Sequence, residues 1–375
     1  MCDIINNMKV FWLFNHPAPY KVDFFNELGK SCDLTVLFER ANEAGRNAIF
    51  YSEKPLTFHA IIAHSLKLGG INNWTREPVS MIRNGHYDLI VINGWRTLTE
   101  RNVITYLKHH HIPYIFYING GLIKPKENAI KFEIKRSYIK GANAYFCPDR
   151  NSGSYLTHYG ADSSKILLYP YSSIFAEEVL PSPYTPYQKK SLRDRIHLPG
   201  EKIFVSSGQF IERKNFSELI AIWKAMPKEW TLLLVGEGKQ KKDYEKEKKD
   251  LGLDNVILMS FRPHQELLRL FRACDAFVFL SKEDIYGHVI NEALSQGLPV
   301  VSSSHVNAAA HLIKNGYDGF LIDLGDPEAI KHAIAQSVDP VMQSNAIEVA
   351  KQNTIEISAK FHLEQFDRLV KEFHL

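Results

Sequence analysis

The stretch AFVFLSKEDIYGHVINEALSQGLPVVSS, residues 276–303, decides the fold of this chain. It opens with a wholly apolar run, Ala276 to Leu280, which has the length of a buried strand. A helical pattern then extends from about residue 287 to residue 297, where glycine and the following Pro299 end it. Val300 to Ser303 is the next candidate strand. A strand, a helix and a strand in this order predict a parallel sheet covered by crossover helices.

The same alternation of short apolar runs and helical patterns fills the rest of the chain. It predicts an α/β protein with two doubly wound, Rossmann-like parallel-sheet domains. Further strands of the C-terminal domain are expected at Ile203 to Val205, Thr231 to Val235, Val256 to Leu258 and Phe320 to Ile322. Strands of the N-terminal domain are expected at Val10 to Phe14, Leu34 to Phe38, Leu89 to Ile92, Tyr114 to Ile118 and Ala144 to Phe146.

The domain limits follow from where this rhythm stops. Residues 1–171 form the predicted N-terminal domain and residues 201–354 the C-terminal domain. Residues 172–200 contain several prolines among polar residues. Neither helical nor strand periodicity continues through them, which predicts a linker. Residues 355–375 predict an amphipathic last helix, for which the N-terminal domain is the candidate partner surface. Because open parallel sheets bind ligands at the carboxyl ends of their strands, the function is expected in a central cleft between the domains.

Length and charge exclude several classes of protein. The 375 residues provide ample interior for two cores, and 45 basic against 42 acidic side chains are too balanced for a bulk nucleic-acid binder. The first residues lack a secretory signal and no stretch is long enough to cross a bilayer, so a cytoplasmic location is expected. Free thiols and no metal site are predicted for the four cysteines, Cys2, Cys32, Cys147 and Cys274.

Two carboxylates flank the start of the helix near Gly287. Asp284 lies just beyond the strand, and Glu292 lies further along the helix. Backbone N–H groups from about Gly287 to Val289, together with the positive end of the helix dipole, suit a phosphate or a diphosphate. Glu292 can then reach past that anion to a sugar hydroxyl. The alternative is that Asp284 caps the helix and Glu292 is a solvated helix acid.

This segment resembles the signature of the family 4 retaining glycosyltransferases, which belong to the glycosyl transferases group 1 and have the GT-B fold. The shared features are an acid, seven intervening residues with a glycine, Glu-Ala, a helix and Gly-x-Pro-Val-Val. Three further segments resemble family motifs in the expected order: GQFIERKN at 208–215, LVGEG at 234–238 and MSFRP at 259–263. Lys214 takes the place of the diphosphate-binding lysine. Gln209 departs from the usual arginine, and Arg213 is the candidate substitute.

The resemblance implies an enzyme, a metal-independent hexosyl- or N-acetylhexosaminyltransferase, with no cofactor besides its nucleotide-diphosphate sugar substrate. The acceptor it implies is a hydroxyl of a surface glycan, lipid-linked, in lipopolysaccharide or capsule synthesis. No enzymic nucleophile is evident, which favours front-face attack by the acceptor hydroxyl. The implied catalytic residues are Asp284, Lys214, Arg213 and Asn119. The implied donor-binding residues are Gly208, Gln209, Gly236, Glu237, Gly238, Phe261, Arg262, Tyr286, Gly287, His288, Val289 and Glu292.

The N-terminal domain resembles the bacterial surface-polysaccharide branch of the family at Asn15 to Leu28. The resemblance implies that the acceptor passes this loop, with His16, Tyr20 and Gly120 as candidate contacts. For His16 and Tyr20, a packed turn is the alternative. Asn119 stands where many members have a histidine, so an amide would replace the usual imidazole contact to the donor sugar.

A basic segment from Lys124 to Lys140 predicts contact with an anionic membrane surface. It has six basic residues against two acids, interleaved with isoleucine and aromatic residues. A helix packed on the sheet with a solvated basic rim is the alternative. The protein is therefore expected to lie peripherally on the inner face of the membrane, with no nucleic-acid partner.

Two rival functions stay open on the sequence. One is a non-hydrolysing nucleotide-sugar 2-epimerase, which shares the fold but is disfavoured because the motifs above belong to transferases. The other is a catalytically silent GT-B partner subunit, which the departures at Gln209 and Asn119 make conceivable.

Overall fold

A computed structural model describes residues 8–42, 55–67 and 73–373 of the chain. The chain divides into two compact units. Met1–Ser173 and Ile355–Leu375 form the N-terminal unit, and Ile174–Thr354 forms the C-terminal unit. Cys2 and the rest of the first seven residues lie outside the described part.

The N-terminal unit is built on a parallel seven-stranded sheet. Its strands are β1 (Lys9–Phe14), β2 (Asp33–Phe38), β3 (His59–Ile62), β6 (Leu89–Asn93), β7 (Ile115–Tyr117), β8 (Ala144–Cys147) and β9 (Ile166–Leu168), beside the two-stranded antiparallel pair β4 (Leu66–Lys67) and β5 (Asn73–Trp74). The order in the sheet is β3-β2-β1-β6-β7-β8-β9. All five strands predicted from apolar runs are confirmed. The two edge strands, β3 and β9, were not predicted; both are partly exposed.

In the described residues of this unit, five helices connect and cover the strands. They are α1 (Pro19–Gly29), α2 (Glu77–Gly85), α3 (Leu98–His109), α4 (Ala129–Ile139) and α5 (Arg150–His158). Local sequence fixes where several begin. Thr97 and Glu100 form a reciprocal capping box at the start of α3, which satisfies two of the N–H groups that a helix start leaves open.

The C-terminal unit is built on a parallel six-stranded sheet. Its strands are β10 (Lys202–Ser207), β11 (Trp230–Val235), β12 (Val256–Met259), β13 (Ala276–Phe279), β14 (Val300–Ser303) and β15 (Gly319–Ile322). The order is β12-β11-β10-β13-β14-β15, and all six predicted strands are confirmed. The side chains of the central strands are buried on both faces, which explains their mostly apolar sequence, whereas the edge strands β12 and β15 are partly exposed.

Eight helices belong to this unit. They are α6 (Pro186–Arg195), α7 (Phe216–Trp223), α8 (Lys241–Asp250), α9 (His264–Phe271), α10 (Val289–Ser295), α11 (Asn307–Leu312), α12 (Pro327–Gln336) and α13 (Pro340–Lys351). The helix predicted from about residue 287 to 297 is therefore present but shorter at both ends.

Helix α6 lies inside the segment predicted as a linker, residues 172–200. Its start is set by a capping box between Thr185 and Gln188. Its buried face carries Lys189 and Arg193, which reach Asp275 at 3.3 Å and 2.6 Å. Apolar periodicity misses this helix because two cations, rather than leucines, face the interior. The segment from Ile174 onward thus groups with the C-terminal unit.

The last helix, α14 (Ile355–Phe373), belongs to the N-terminal unit. It packs against α1, with the ring of His362 4.8 Å from that of Phe24. Phe366 contacts Trp12 of β1, with ring centroids 6.2 Å apart. These contacts bury the apolar face of the helix on the N-terminal domain, which the sequence analysis named as the candidate partner surface.

Strand order places the candidate sites. In the C-terminal sheet, β10 lies between β11 and β13, so connections leave in opposite directions at β10. In the N-terminal sheet, β1 lies between β2 and β6 in the same way. The carboxyl ends of strands at such a reversal leave an open crevice, which is where doubly wound sheets bind ligands.

None of the helices in the described ranges is long and apolar enough to span a bilayer. The three cysteines that the structure describes, Cys32, Cys147 and Cys274, are free and buried. Burial raises the pKa of each thiol to about 12, which makes these side chains unreactive.

Candidate functional site

Lys214 and Asp284 meet at the strand-order reversal of the C-terminal unit. Lys214 lies in a short 3-10 turn after β10, and Asp284 lies in the loop after β13. The Lys214 ammonium group contacts Asp284 Oδ2, and its Nζ lies 4.6 Å from the centre of the Phe279 ring. Lys214 is 8% exposed, so its charge faces an interior with little water to screen it.

Arg213 supports the same carboxylate from the surface. Its guanidinium group lies 3.9 Å from Asp284 Oδ2 and donates a hydrogen bond of 2.9 Å to the carbonyl of Glu283. The Arg213 carbonyl in turn accepts from the Ser281 hydroxyl at 3.0 Å. The loops after β10 and β13 are therefore tied together on both sides of the Lys214–Asp284 pair.

Gly287 brings the start of α10 to this pair. Its φ of +97° is a left-handed conformation that side chains disfavour, and an added Cβ would lie 2.8 Å from Val306 Cγ1. The same Cβ position is 3.8 Å from Asp284 Oδ2. A side chain here would thus fill the space between the carboxylate and the helix start. Lys214, Asp284 and the amides around Gly287 therefore share one small region.

Glycines also allow the first two loops of the unit to touch. A Cβ on Gly236 would lie 1.9 Å from the carbonyl oxygen of Gly208, and one on Gly238 would lie 2.4 Å from that of Phe210. Gly208 donates a hydrogen bond of 3.0 Å to Val235 at the end of β11. Only glycine fits such a close approach of two backbones.

The other predicted donor residues lie around this region in different environments. Gln209, Phe261 and Arg262 are exposed, and Arg262 makes a surface ion pair of 3.5 Å with Glu266. Glu237 is also exposed, and hydrogen bonds with Ser260 and Lys241 lower the pKa of its carboxyl group. Tyr286, by contrast, is buried, and its ring lies 5.0 Å from that of the partly exposed His288.

Glu292 contacts a histidine, His264, that the sequence analysis did not find and that also contacts a second carboxylate. His264, the first residue of α9, places Nδ1 3.5 Å from Glu292 Oε1 and Nε2 3.2 Å from Glu178 Oε1. Burial by itself lowers the pKa of His264, but the two carboxylates raise it to about 10. The imidazole is therefore a cation at neutral pH. No local pattern could have found this group, since residues 178, 264 and 292 are distant in sequence.

The reversal point of the N-terminal unit has a different character. Asn119, after β7, donates a hydrogen bond of 3.2 Å to Asn93 Oδ1 at the end of β6, and Gly120 follows it. His16 is buried, which favours the packed-turn alternative for this residue. The Tyr20 ring lies 6.2 Å from that of Tyr171. The four residues predicted on this unit thus lie at the carboxyl edge of its sheet.

Two buried carboxyl groups lie at the same edge and were not predicted. Glu39 follows β2, and its Oε1 accepts a hydrogen bond of 2.9 Å from the Thr97 hydroxyl. Burial, and then the nearby Glu100, raise the pKa of Glu39 to about 9. Burial also raises the pKa of Glu100 to about 7. Two such groups hold a proton between them near neutral pH.

Two parallel-sheet units, each with a ligand crevice at its strand-order reversal, define the GT-B class of fold. Anabaena HepE, solved in complex with UDP, has the same fold: the TM-score is 0.73 with 18% sequence identity, over 97% of this chain and 100% of that chain. The predicted fold class is confirmed.

Residues 188–352 match the family model described as glycosyl transferases group 1. The C-terminal unit therefore carries a domain of that family, as the four motifs predicted. A lipopolysaccharide core biosynthesis glycosyltransferase, LpsE of Rhizobium meliloti, is 33% identical over 148 residues, which are 39% of this chain and 42% of that protein. The amylovoran biosynthesis glycosyltransferase AmsD of Erwinia amylovora is 25% identical over 166 residues, 44% of this chain and 46% of that protein. The matched part of the chain thus spans less than half the length of these curated relatives.

Proposed function

We propose that the protein is a retaining glycosyltransferase that moves a sugar from a nucleotide-diphosphate sugar to a hydroxyl of a surface glycan. One observation carries the proposal: Lys214, Asp284 and the loop at Gly287 meet at the strand-order reversal of a group 1 glycosyltransferase domain. A cation, a carboxylate and a helix start are the groups needed to hold a diphosphate next to a sugar.

The departing diphosphate carries the negative charge that grows during the reaction. Lys214 and Arg213 are cations that both lie within contact distance of Asp284. Stabilising that charge lowers the barrier most, because a site that excludes water strengthens electrostatic interactions. In this proposal these two side chains and the helix start take the place of a metal ion, and the donor is a substrate rather than a cofactor.

The acceptor hydroxyl attacks the anomeric carbon on the face from which the diphosphate leaves. The bond between that carbon and the phosphate oxygen breaks, a glycosidic bond forms, and the hydroxyl proton passes to the leaving phosphate oxygen. Asp284 holds hydroxyls of the donor sugar and stabilises the positive charge that develops on the ring. Asn119 provides an amide donor in the acceptor-binding unit.

We propose a lipid-linked acceptor, reached from the cytoplasmic side of an anionic membrane. The similarity to a lipopolysaccharide core glycosyltransferase supports it, because that product is itself a glycolipid. Residues 123–134 of the N-terminal unit also expose three isoleucines, Ile123, Ile130 and Ile134, with Ile130 at 72% exposure. Lys124, Lys126 and Lys131 are exposed among them. Lys135 does not contribute, because it is paired with Glu127.

A thermal-shift panel of UDP, GDP and their sugars tests the donor proposal. A nucleotide present at 100 times its dissociation constant is expected to stabilise the protein by about 2.7 kcal/mol. The variant Glu292→Ala should lose this shift. If no nucleotide shifts the wild-type melting temperature, the proposal is wrong. Incubation with the donor sugar alone separates the rival epimerase, since only an epimerase changes the sugar without an acceptor.

A further inference from the structure

His264 bridges two carboxylates that come from distant parts of the C-terminal unit. Both ring nitrogens lie within 3.5 Å of a carboxylate oxygen, one from Glu178 and one from Glu292. These contacts are ion pairs, and they are favourable when both ring nitrogens carry protons, because the imidazole is then a cation between two anions. The side chains of the two glutamates are only 10% and 13% exposed, and one imidazolium ion lies between them.

Glu178 is itself held firmly. Its Oε2 accepts a hydrogen bond of 2.8 Å from the Phe175 N–H, and its Oε1 contacts the Gln265 amide. Its carbonyl accepts from Gln296 Nε2 at 2.8 Å, just beyond the end of α10. The Glu178 carboxylate is therefore fixed relative to the helix that carries Glu292. His264, which is paired with Glu178, in turn holds the Glu292 carboxylate in place.

We propose that His264 is a positioning residue that fixes the Glu292 carboxylate for the ribose hydroxyls of the donor nucleotide. This inference rests on the proposed function, in which Glu292 contacts those hydroxyls. Without the imidazolium ion, two poorly solvated carboxylates face each other with no cation between them, and repulsion turns Glu292 away or protonates it. A protonated or displaced carboxylate is a poor acceptor for two ribose hydroxyls.

The test compares UDP with 2′,3′-dideoxy-UDP, and GDP with its dideoxy analogue if the protein binds guanine nucleotides. Dissociation constants are measured by calorimetry for the wild type, His264→Asn, His264→Arg and Glu292→Gln. His332→Asn, on the exposed surface of α12, is the matched control. The wild type and the control should prefer the ribonucleotide by about tenfold or more, the size expected for a hydrogen bond to a charged group.

His264→Asn should lose most of this preference, as should Glu292→Gln, while affinity for the dideoxy nucleotide stays close to wild type. His264→Arg keeps a cation between the carboxylates and should retain a clear preference, which a purely space-filling role would not predict. A wild-type preference in folded His264→Asn overturns the inference and leaves the proposed function standing. If His264→Asn does not fold, loss of the preference in His264→Arg overturns it instead. If the wild type binds no nucleotide, both fail together.

Discussion

Two buried lysines occupy corresponding places in the two units, and their surroundings differ sharply. Lys21 follows β1 and Lys214 follows β10, the strands at which the two sheets reverse their order. Lys214 contacts the Asp284 carboxylate and is 8% exposed. Lys21 is 1% exposed, and its ammonium group donates a hydrogen bond of 2.8 Å to the Tyr117 hydroxyl.

Aromatic rings, rather than a carboxylate, surround Lys21. Among the described residues no carboxylate lies within ion-pair distance of it. Its Nζ lies 4.2 Å to 5.8 Å from the ring centres of Tyr171, Tyr117, Phe24, Phe14 and Tyr169. Burial lowers the pKa of Lys21 well below its usual value. The same residue type at the same point of the fold is therefore a charged site residue in one unit and an interior amine in the other.

The largest expected effect is a loss of catalytic efficiency when Lys214 is replaced. Lys214→Ala should lower kcat/KM for sugar transfer by about 10²–10³-fold, because it removes one group that stabilises charge in the transition state. Lys239→Ala, at an exposed lysine of the same unit, is the control. Activity is measured with the nucleotide sugar that gives the largest thermal shift. Unchanged turnover in Lys214→Ala would exclude Lys214 from the site.

A smaller effect is expected from the basic surface of the N-terminal unit, since membrane contact is proposed there and not on α8. Lys124→Ala combined with Lys131→Ala should weaken binding to vesicles with an anionic phospholipid by about 30-fold, from about 1 kcal/mol for each cation. Vesicle sedimentation at low salt measures this. Lys242→Ala with Lys246→Ala, on the exposed side of α8, removes the same charge and should have little effect. Equal losses in the two pairs would contradict a specific docking surface.

The smallest effect is expected for Lys21. Its replacement should improve a property of the protein, the free energy of unfolding, rather than impair one. Lys21→Met should stabilise the protein by about 1 kcal/mol at pH 7, because a buried ionisable group often contributes less than an apolar one of similar size. In the wild type the folded state binds fewer protons at Lys21 than the unfolded state, so stability rises with pH up to about 10.5. The advantage of Lys21→Met should therefore shrink as the pH rises. Chemical denaturation from pH 7 to 10 measures it, and a loss of stability at pH 7 would show that the amine is needed.

The sequence predicts every central strand of the two sheets and only part of the edge strands. Central parallel strands are covered on both faces, so their side chains are mostly apolar. The edge strands are partly exposed; β12 and β15 were still predicted from their apolar runs, whereas β3 and β9 were not. Helix α6 was not predicted because Lys189 and Arg193 occupy the buried positions where an amphipathic pattern requires apolar residues.

The residues of the candidate site also divide into those that the sequence predicted and those that it did not. Lys214, Asp284 and Gly287 were predicted from short motifs, and the structure brings the three together. Glu178 and His264 were not predicted, although His264 contacts the Glu292 carboxylate and Glu178 contacts His264. A short motif reflects the local requirements of one loop. An ion pair between residues that are distant in sequence has no characteristic spacing, so no motif predicts it.

The sequence by itself determined the alternation of strands and helices. It also determined, through its glycines, where two backbones can approach closely. Both depend on neighbours along the chain, through burial on both faces of a strand or through backbone conformation. Only the tertiary structure decided which buried charges find a partner. Lys214 meets Asp284 70 residues away, whereas Lys21 meets the Tyr117 hydroxyl 96 residues away. The free energy of a buried charge depends on what the fold places within a few ångströms of it, which no local pattern specifies.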